Sequence, residues 1–194
     1  MRILLIKTSS LGDVIHARPV ARALRGGRPG LPLPWIVEAR EYALLKDHPD
    51  LDTVVPVDTR LWRRLIRRPS GVREVLGKVG RLRGRIRAAR FDVAIDLQGL
   101  IKSGLLTAYT GAPLRIGFTA SHCRERLNCL FTNRRVRPPA TAVHVVDQYL
   151  AFRRGELTAA AAEAAITAGL AAIEPDGEEM EEADGIFTKL MGDL

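Results

Sequence analysis

The 194-residue chain lacks features that mark several common protein classes. Its two cysteines, Cys123 and Cys129, have no second pair beside them, so we expect ordinary thiols rather than a disulfide framework or a metal site. No apolar run approaches the length of a membrane-spanning helix, and the N-terminal run is too short for a signal peptide. Aromatic residues make up 5% of the chain, which disfavours stacking on single-stranded nucleic acid. These absences predict a soluble, cytoplasmic globular protein.

Charge is distributed unevenly along the chain. The whole chain has 30 Lys and Arg against 22 Asp and Glu, a net charge of +8. Residues 155–194 contain ten of the acids and one of the bases, so residues 1–154 carry 29 bases and 12 acids. So basic a body predicts an anionic partner: nucleic acid, an anionic membrane surface, or a phosphorylated or carboxylated substrate. Composition alone does not distinguish among these partners.

Strands and helices alternate along residues 1–154. The predicted strands are the apolar runs 3–6, 34–37, 54–57, 91–97 and 114–118. The predicted helices are the stretches 12–25, 39–47, 72–89, about 103–109 and 143–154. This alternation is typical of an α/β fold with a doubly wound parallel sheet. We therefore predict one Rossmann-like domain over 1–154, followed by an acidic, alanine-rich tail over 155–194 that is helical or disordered.

Lys7 and Asp13 flank a turn that joins the first strand to the first helix. The turn between them contains small or polar residues: Thr8, Ser9, Ser10 and Gly12. The three hydroxyl groups can accept N–H groups of the helix, and the glycine allows a ligand or backbone to approach closely. Because α/β sheets bind ligands at the carboxyl ends of strands, the lysine and the carboxylate indicate a functional site. The alternative is a solvated lysine and a first-turn acid that the helix dipole favours.

The stretch 96–103 repeats this arrangement, with a strand, a polar turn containing a glycine, and a helix carrying a lysine. Gln98 lies in the turn and Lys102 lies near the start of the helix. Two such turns at the carboxyl ends of one sheet are expected to converge on a shared crevice. The alternative makes Gln98 a turn former and Lys102 a surface residue.

Arginine is concentrated after the third predicted strand, at Arg60, Arg63 and Arg64, and recurs at Arg124. The planar guanidinium group suits carboxylates and phosphates, so these residues fit an anionic sugar or a lipid headgroup. A solvated basic helix face or a nucleic-acid patch is the alternative. No spacing of ligands along the chain indicates a metal site.

Seven stretches occur in an order and at a spacing that match one known family. They are 1–16, 35–38, 55–57, 60–64, 91–103, 124–127 and 144–147. On these stretches the chain resembles the N-terminal domain of the lipopolysaccharide heptosyltransferase I family, which belongs to the ADP-heptose glycosyltransferases. The resemblance implies the N-terminal Rossmann-like half of a GT-B glycosyltransferase. It also implies inverting, metal-independent transfer of heptose from ADP-L-glycero-D-manno-heptose to Kdo of the lipopolysaccharide inner core, with no cofactor beyond this donor substrate.

The resemblance also implies residue roles. Asp13 matches the general base that deprotonates the acceptor hydroxyl, and Lys7 would orient the acceptor or stabilise charge. The residues implied to bind the acceptor are Thr8, Ser9, Ser10, Gly12, Arg60, Arg63, Arg64, Gln98, Lys102 and Arg124. The acceptor would be anionic Kdo–lipid A, reached from the cytoplasmic face of the inner membrane, where the protein would be peripheral.

The chain departs from the family after residues 144–147, where a second Rossmann domain binds the nucleotide sugar. Residues 155–194 are too few and too acidic to form that domain. We therefore expect a truncated acceptor domain that is inactive alone, with a donor domain possibly supplied in trans. A function of another class is a non-enzymatic basic module that binds nucleic acid or an anionic membrane surface. Nucleic acid is disfavoured by the scarcity of aromatic residues.

Overall fold

A six-stranded sheet organises the computed structural model, which describes residues 1–27, 29–142 and 145–156. The strands are β1 Ile3–Ile6, β2 Trp35–Glu38, β3 Val54–Val57, β4 Val93–Asp96, β5 Leu114–Phe118 and β6 Arg134–Val136. Their order across the sheet is β3-β2-β1-β4-β5-β6, and each neighbouring pair is parallel. The predicted doubly wound parallel sheet is therefore confirmed.

Five α-helices are described. They are α1 Leu11–Gly27, α2 Thr59–Leu65, α3 Pro69–Ala88, α4 Ile101–Tyr109 and α5 Val145–Glu156. Two short 3-10 helices, Ala39–Leu44 and Arg126–Phe131, follow β2 and precede β6. Within the described residues, no helix has the length and apolar character needed to cross a membrane. The tail prediction falls almost entirely on residues 157–194, which lie outside the described residues.

The sheet is covered by helices on both faces. Ile3 and Leu5 of β1 pack into a core with α1 and α5, whereas Leu4 and Ile6 pack into a second core with α3 and α4. Successive strand residues point to opposite faces, so this division follows from the pleat. Because neither face is open to water, the central strands are continuously apolar rather than alternating.

Three elements of the structure differ from the prediction made from the sequence. Residues 39–47 were expected to form an α-helix but contain a 3-10 helix, in which the Leu45 N–H bonds the Tyr42 carbonyl only three residues back (3.0 Å). The arginine-rich stretch after β3 is helix α2, whose N-cap Asp58 accepts the N–H of Leu61 at 2.8 Å. Strand β6 was not predicted because it has three residues, of which two are exposed arginines.

Candidate active site

The turns after β1 and β4 lie side by side at the carboxyl ends of the two central strands. The chain leaves β1 toward β2 on one side and leaves β4 toward β5 on the other, so β1 and β4 flank the point where the strand order reverses. In doubly wound sheets, ligands bind outside the carboxyl ends of the strands at this point. The space beside the residues that follow β1 and β4 is therefore where this fold favours a ligand, and we call it the crevice.

Lys7 is buried at the carboxyl end of β1, beside this crevice. Its side chain is 1% exposed, and its Nζ lies 3.9 Å from Asp13 Oδ2 and 5.0 Å from the centroid of the Tyr149 ring. Burial lowers the pKa of Lys7 from 10.5 to about 8, although the Asp13 carboxylate acts in the opposite direction. The alternative that Lys7 is a solvated surface charge is therefore wrong.

Asp13 stays accessible and is held in its ionised form. Its side chain is 15% exposed, and Oδ2 accepts from Arg124 Nη2 (2.8 Å) and from the Ser10 N–H (3.2 Å). Burial alone would raise the pKa of Asp13, but Lys7, the Ser10 N–H and Arg124 outweigh it, so the pKa lies below its usual value. The described contacts of this carboxylate all fall on Oδ2, which leaves Oδ1 to receive a ligand hydroxyl.

The hydroxyl groups of the first turn do not cap helix α1 as the sequence suggested. The Thr8 hydroxyl donates weakly to Gln98 Oε1 (3.5 Å), the Ser9 hydroxyl accepts from Lys102 Nζ (3.4 Å), and the Ser10 hydroxyl donates to the carboxylate of Asp13 (3.4 Å). Instead, the carboxylate of Asp13 in the first turn accepts the backbone N–H of Ser10, which is one half of a capping box. The turn hydroxyls therefore contact the candidate site residues.

Gln98 joins the two turns. Its side chain is buried, and Oε1 accepts the backbone N–H groups of Thr8 (3.0 Å) and Ser9 (3.1 Å). Its Nε2 is buried without a hydrogen-bond partner among the described residues. Gln98 thus fixes the turn after β1 against the end of β4, as the expected convergence of the two turns requires.

The buried carboxylate of Asp96 holds the backbone of Gln98 in place. Asp96 Oδ1 accepts the N–H groups of Gln98 (2.8 Å) and Gly99 (3.1 Å), and Oδ2 accepts from Ser103 Oγ (2.9 Å) and Asn128 Nδ2 (2.6 Å). Complete burial raises the pKa of Asp96, and these four donors only partly oppose the rise. Asp96 belongs to the 96–103 motif but was not proposed as a site residue. Asn128 was missed because only the fold brings it to the end of β4.

Lys102 connects the crevice to the end of β2. Its Nζ lies 3.3 Å from Glu38 Oε1, and the buried Glu38 carboxylate also accepts the N–H (3.2 Å) and the hydroxyl of Thr59. Glu38 ends an apolar strand, and an acid at that position is a signal that could have identified it. This carboxylate orders both the lysine and the start of α2.

Beyond Glu38 lies a pocket of about 250 Å³. It is lined by Glu38, Ala39, Arg40, Asp58, Arg60, Leu61 and Arg64. Of the three predicted arginines after β3, Arg60 and Arg64 therefore line the pocket, whereas Arg63 is exposed on α2 outside it. Gly12 is exposed in the first turn of α1, and a Cβ there would meet nothing within 4 Å. The space beside Gly12 is open to a ligand.

The two cysteines lie behind Arg124 as free thiols, with their Sγ atoms 3.7 Å apart. Burial and the contact with Cys129 raise the pKa of Cys123 to about 12, so its reactive thiolate is scarce at neutral pH. In the part of the chain that the structure describes, no group of three or more His, Cys, Asp and Glu side chains could hold a metal ion. The chemistry available in the crevice is that of a carboxylate base among cations, which suits proton acceptance from a hydroxyl of an anionic ligand.

Three comparisons relate this chain to known proteins. The family model for glycosyltransferase family 9 (heptosyltransferase) matches residues 79–175. Lipopolysaccharide heptosyltransferase 1 of Pseudomonas aeruginosa is 37% identical over 148 residues, which are 76% of this chain and 40% of that protein. The protein of the same name from Escherichia coli K12 is 32% identical over 135 residues, covering 70% of this chain and 41% of that protein.

A solved structure of E. coli heptosyltransferase WaaC with ADP-2-deoxy-2-fluoro heptose superposes with a TM-score of 0.70 at 30% identity. The match covers 79% of this chain and 48% of WaaC. It confirms the fold prediction of the N-terminal Rossmann-like half of a GT-B glycosyltransferase. The chain spans about 40% of the length of the curated relatives that it matches.

Proposed function

Starting from the premise that the chain belongs to glycosyltransferase family 9, the heptosyltransferases, we propose that it forms the acceptor-binding half of a lipopolysaccharide heptosyltransferase. The observation that carries this proposal is the ionised carboxylate of Asp13 at the switch point of the sheet, between the buried Lys7 and the guanidinium of Arg124. The names of the relatives supply the reaction, which is transfer of heptose within lipopolysaccharide synthesis.

The proposed donor is ADP-L-glycero-D-manno-heptose, and the proposed acceptor is a hydroxyl of Kdo in the inner core. The acceptor oxygen forms a bond to the anomeric carbon of the heptose while the bond from that carbon to the ADP oxygen breaks, which inverts the configuration. Asp13 Oδ1 receives the proton of the attacking hydroxyl. Positioned general bases contribute roughly 10²- to 10⁴-fold to such reactions. No metal and no further cofactor enters this proposal.

Lys7 has a positioning role in this scheme. Because its ammonium group lies 3.9 Å from Asp13 Oδ2, it favours the ionised carboxylate before the acceptor arrives. A pKa of about 8 leaves Lys7 mainly protonated at neutral pH, so the pair is complete under physiological conditions.

The cations beside the crevice fit the charge of the proposed acceptor. Arg60 and Arg64 line the pocket next to Glu38, and Lys102 links that pocket to the turn after β1. A guanidinium group binds a carboxylate through two parallel hydrogen bonds, so the pocket arginines suit the Kdo carboxylate. Arg63, which lies outside the pocket, is assigned to a phosphate of lipid A. With such an acceptor, we propose that the protein acts as a peripheral protein at the cytoplasmic face of the inner membrane.

The donor half of the reaction requires a second Rossmann domain, in the same polypeptide or in a partner. We propose that the residues described here bind the acceptor and supply the base, whereas this second domain binds ADP-heptose. On this proposal, the 194-residue chain without such a domain binds acceptor and does not transfer heptose.

Titration of the purified chain with the methyl glycoside of Kdo, followed by calorimetry, tests acceptor binding. We expect saturable binding that weakens at least about tenfold in the double variant Arg60→Ala/Arg64→Ala, since each charge-assisted pair contributes about 1.5 kcal/mol or more. The matched control is Arg81→Ala/Arg85→Ala, which removes the same charge from the distal half of α3. Absence of saturable binding, together with salt-dependent binding to duplex DNA, would support a basic nucleic-acid module in its place.

A further inference from the structure

We propose that the protein docks on an anionic lipid bilayer through the corner between α2 and α3. The α2–α3 corner consists of Arg67, Arg68, Val72, Arg73 and Leu76. This inference rests on the proposed function in one respect, which is that the proposed acceptor is linked to a membrane lipid. The surface itself is argued from exposure, charge and position.

The corner presents apolar side chains to solvent on the most basic segment of the chain. Val72 is 42% exposed and Leu76 is 55% exposed, and they lie one turn apart on α3. Val75 and Val79 lie on the same apolar stripe of the helix as Val72 and Leu76, and they are buried against Tyr109 and residues of α2. Val72 and Leu76 therefore form the uncovered margin of this stripe, which faces solvent beside the buried part.

Arginines surround this exposed apolar pair. Arg68 precedes Val72 by four positions on the same stripe of the helix, Arg73 adjoins it, and Arg67 lies in the connection between the two helices. All three arginines are exposed. Residues 59–88 contain eleven bases and one acid, Glu74, whose carboxylate pairs with Lys78 at 2.8 Å. Along the segment 59–88, this positive charge is therefore offset by a single acid.

Charge and apolar exposure together favour a bilayer as the occupant. An anionic membrane attracts clustered bases, and its interface accepts aliphatic side chains just below the headgroups. Nucleic acid would satisfy the arginines but would gain nothing from Val72 and Leu76. A second copy of this surface would be repelled by its like charge.

The corner also lies beside the proposed acceptor pocket. Helix α2 begins at Thr59, which bonds Glu38 at the carboxyl end of β2, and Arg60 and Arg64 of the same helix line the pocket. Helix α3 begins four residues after α2 ends, so the corner lies one short helix, about 10 Å, from Thr59. A bilayer seated on the corner would present a membrane-anchored sugar to the pocket without the protein entering the hydrocarbon.

Co-sedimentation of the full chain with phosphatidylcholine vesicles, with and without phosphatidylglycerol, tests the docking surface. We expect binding only to the phosphatidylglycerol vesicles, weakened at least about fivefold by Val72→Gln/Leu76→Gln and about tenfold or more by Arg67→Gln/Arg68→Gln. Two matched controls, Leu127→Gln/Leu130→Gln and Arg81→Gln/Arg85→Gln, change equally exposed residues elsewhere and are expected to bind nearly as the unaltered chain does. Circular dichroism melts establish that each variant is folded.

Besides a complete absence of vesicle binding, three results would overturn the docking surface. The first is equal loss in the corner and control arginine pairs, which indicates attraction by total charge only. The second is unchanged binding after Val72→Gln/Leu76→Gln, and the third is displacement from vesicles by substoichiometric duplex DNA. Kdo methyl glycoside binding, measured on the same variants, separates the two proposals. Retained glycoside binding with no vesicle binding refutes the corner alone, whereas vesicle binding without glycoside binding refutes the acceptor site alone.

Discussion

Arg124 Nη2 lies 2.8 Å from Asp13 Oδ2 and joins two turns that are 111 positions apart in the sequence. This contact makes the candidate base part of a three-residue charge cluster with the buried Lys7. The two cations keep the carboxylate ionised, and they occupy one of its oxygens while the other stays available. The cluster is thus organised before any ligand binds.

The first prediction concerns the pKa of Asp13. Replacing Arg124 by Ala removes a cation and a hydrogen bond from the carboxylate, so the pKa of Asp13 is expected to rise. Carbon-13 NMR titration of the Asp side-chain carboxyl groups measures this change, with Arg126→Ala as the matched control at a neighbouring exposed arginine. An unchanged Asp13 titration in Arg124→Ala would show that the contact at 2.8 Å has no electrostatic effect.

The same substitution affects stability at low pH. Because the folded-state pKa of Asp13 is depressed, its ionisation stabilises the fold above its unfolded-state pKa, and this stability is lost as the pH falls through the folded pKa. In Arg124→Ala that loss is expected to be complete at a higher pH than in the unaltered chain. Since Arg124 is more than half exposed, the effect at neutral pH is expected to be small.

The second prediction concerns the buried ammonium group of Lys7. Its folded-state pKa of about 8 lies below the unfolded value of 10.5, so the folded chain binds fewer protons between these values and its stability rises with pH there. Below about pH 8, burial of the charge costs the fold on the order of 3 kcal/mol relative to alkaline pH.

Urea unfolding of the unaltered chain and of Lys7→Met at several pH values tests this cost. The free energy of unfolding of the unaltered chain, relative to that of Lys7→Met, is expected to increase between pH 8 and 10.5. The difference between the two proteins removes the contribution of other groups that titrate in this range. A difference that is constant with pH would contradict the burial of a charged Lys7.

The third prediction concerns the support of Gln98. Asn128→Ala removes a donor from the buried Asp96 carboxylate and from the Leu100 carbonyl, so the free energy of unfolding is expected to fall by about 1–3 kcal/mol. Because Asp96 holds the backbone of Gln98, binding of Kdo methyl glycoside is expected to weaken as well. Asn133→Ala is the control, since that asparagine is exposed and lies outside the crevice. Equal effects of the two substitutions would argue against a special role for the buried network.

The sequence allowed the fold and the centre of the candidate site to be predicted, because both depend on local patterns. Apolar runs that alternate with helical stretches indicated the parallel sheet, and a strand followed by a polar turn and a helix marked Lys7, Asp13, Gln98 and Lys102. In such motifs the position of the turn follows from the motif itself, because the carboxyl ends of parallel strands all lie at the same edge of the sheet.

The partners of these residues could not be predicted from local patterns. An acid at the end of an apolar strand marks Glu38, and the 96–103 motif contains Asp96, but the contacts of Glu38 with Lys102 and of Asp96 with Asn128 depend on strand order and register. Tyr149 reaches Lys7 only because α5 packs beside α1 on one face of the sheet. Arg124 bonds Asp13 and does not line the pocket of Arg60 and Arg64. This contact, too, depends on the path that the chain takes after β5, which the sequence does not reveal.

The central claim is that Asp13 is the base of a heptosyl transfer, and transfer itself tests it most directly. The 194-residue chain is combined with the donor-binding half of the E. coli relative, and transfer of radiolabelled heptose from ADP-heptose to Kdo–lipid A is measured. We expect transfer by the unaltered chain, and a loss of about 10²- to 10⁴-fold in Asp13→Asn with acceptor binding retained. Transfer by Asp13→Asn at the rate of the unaltered chain would contradict the claim.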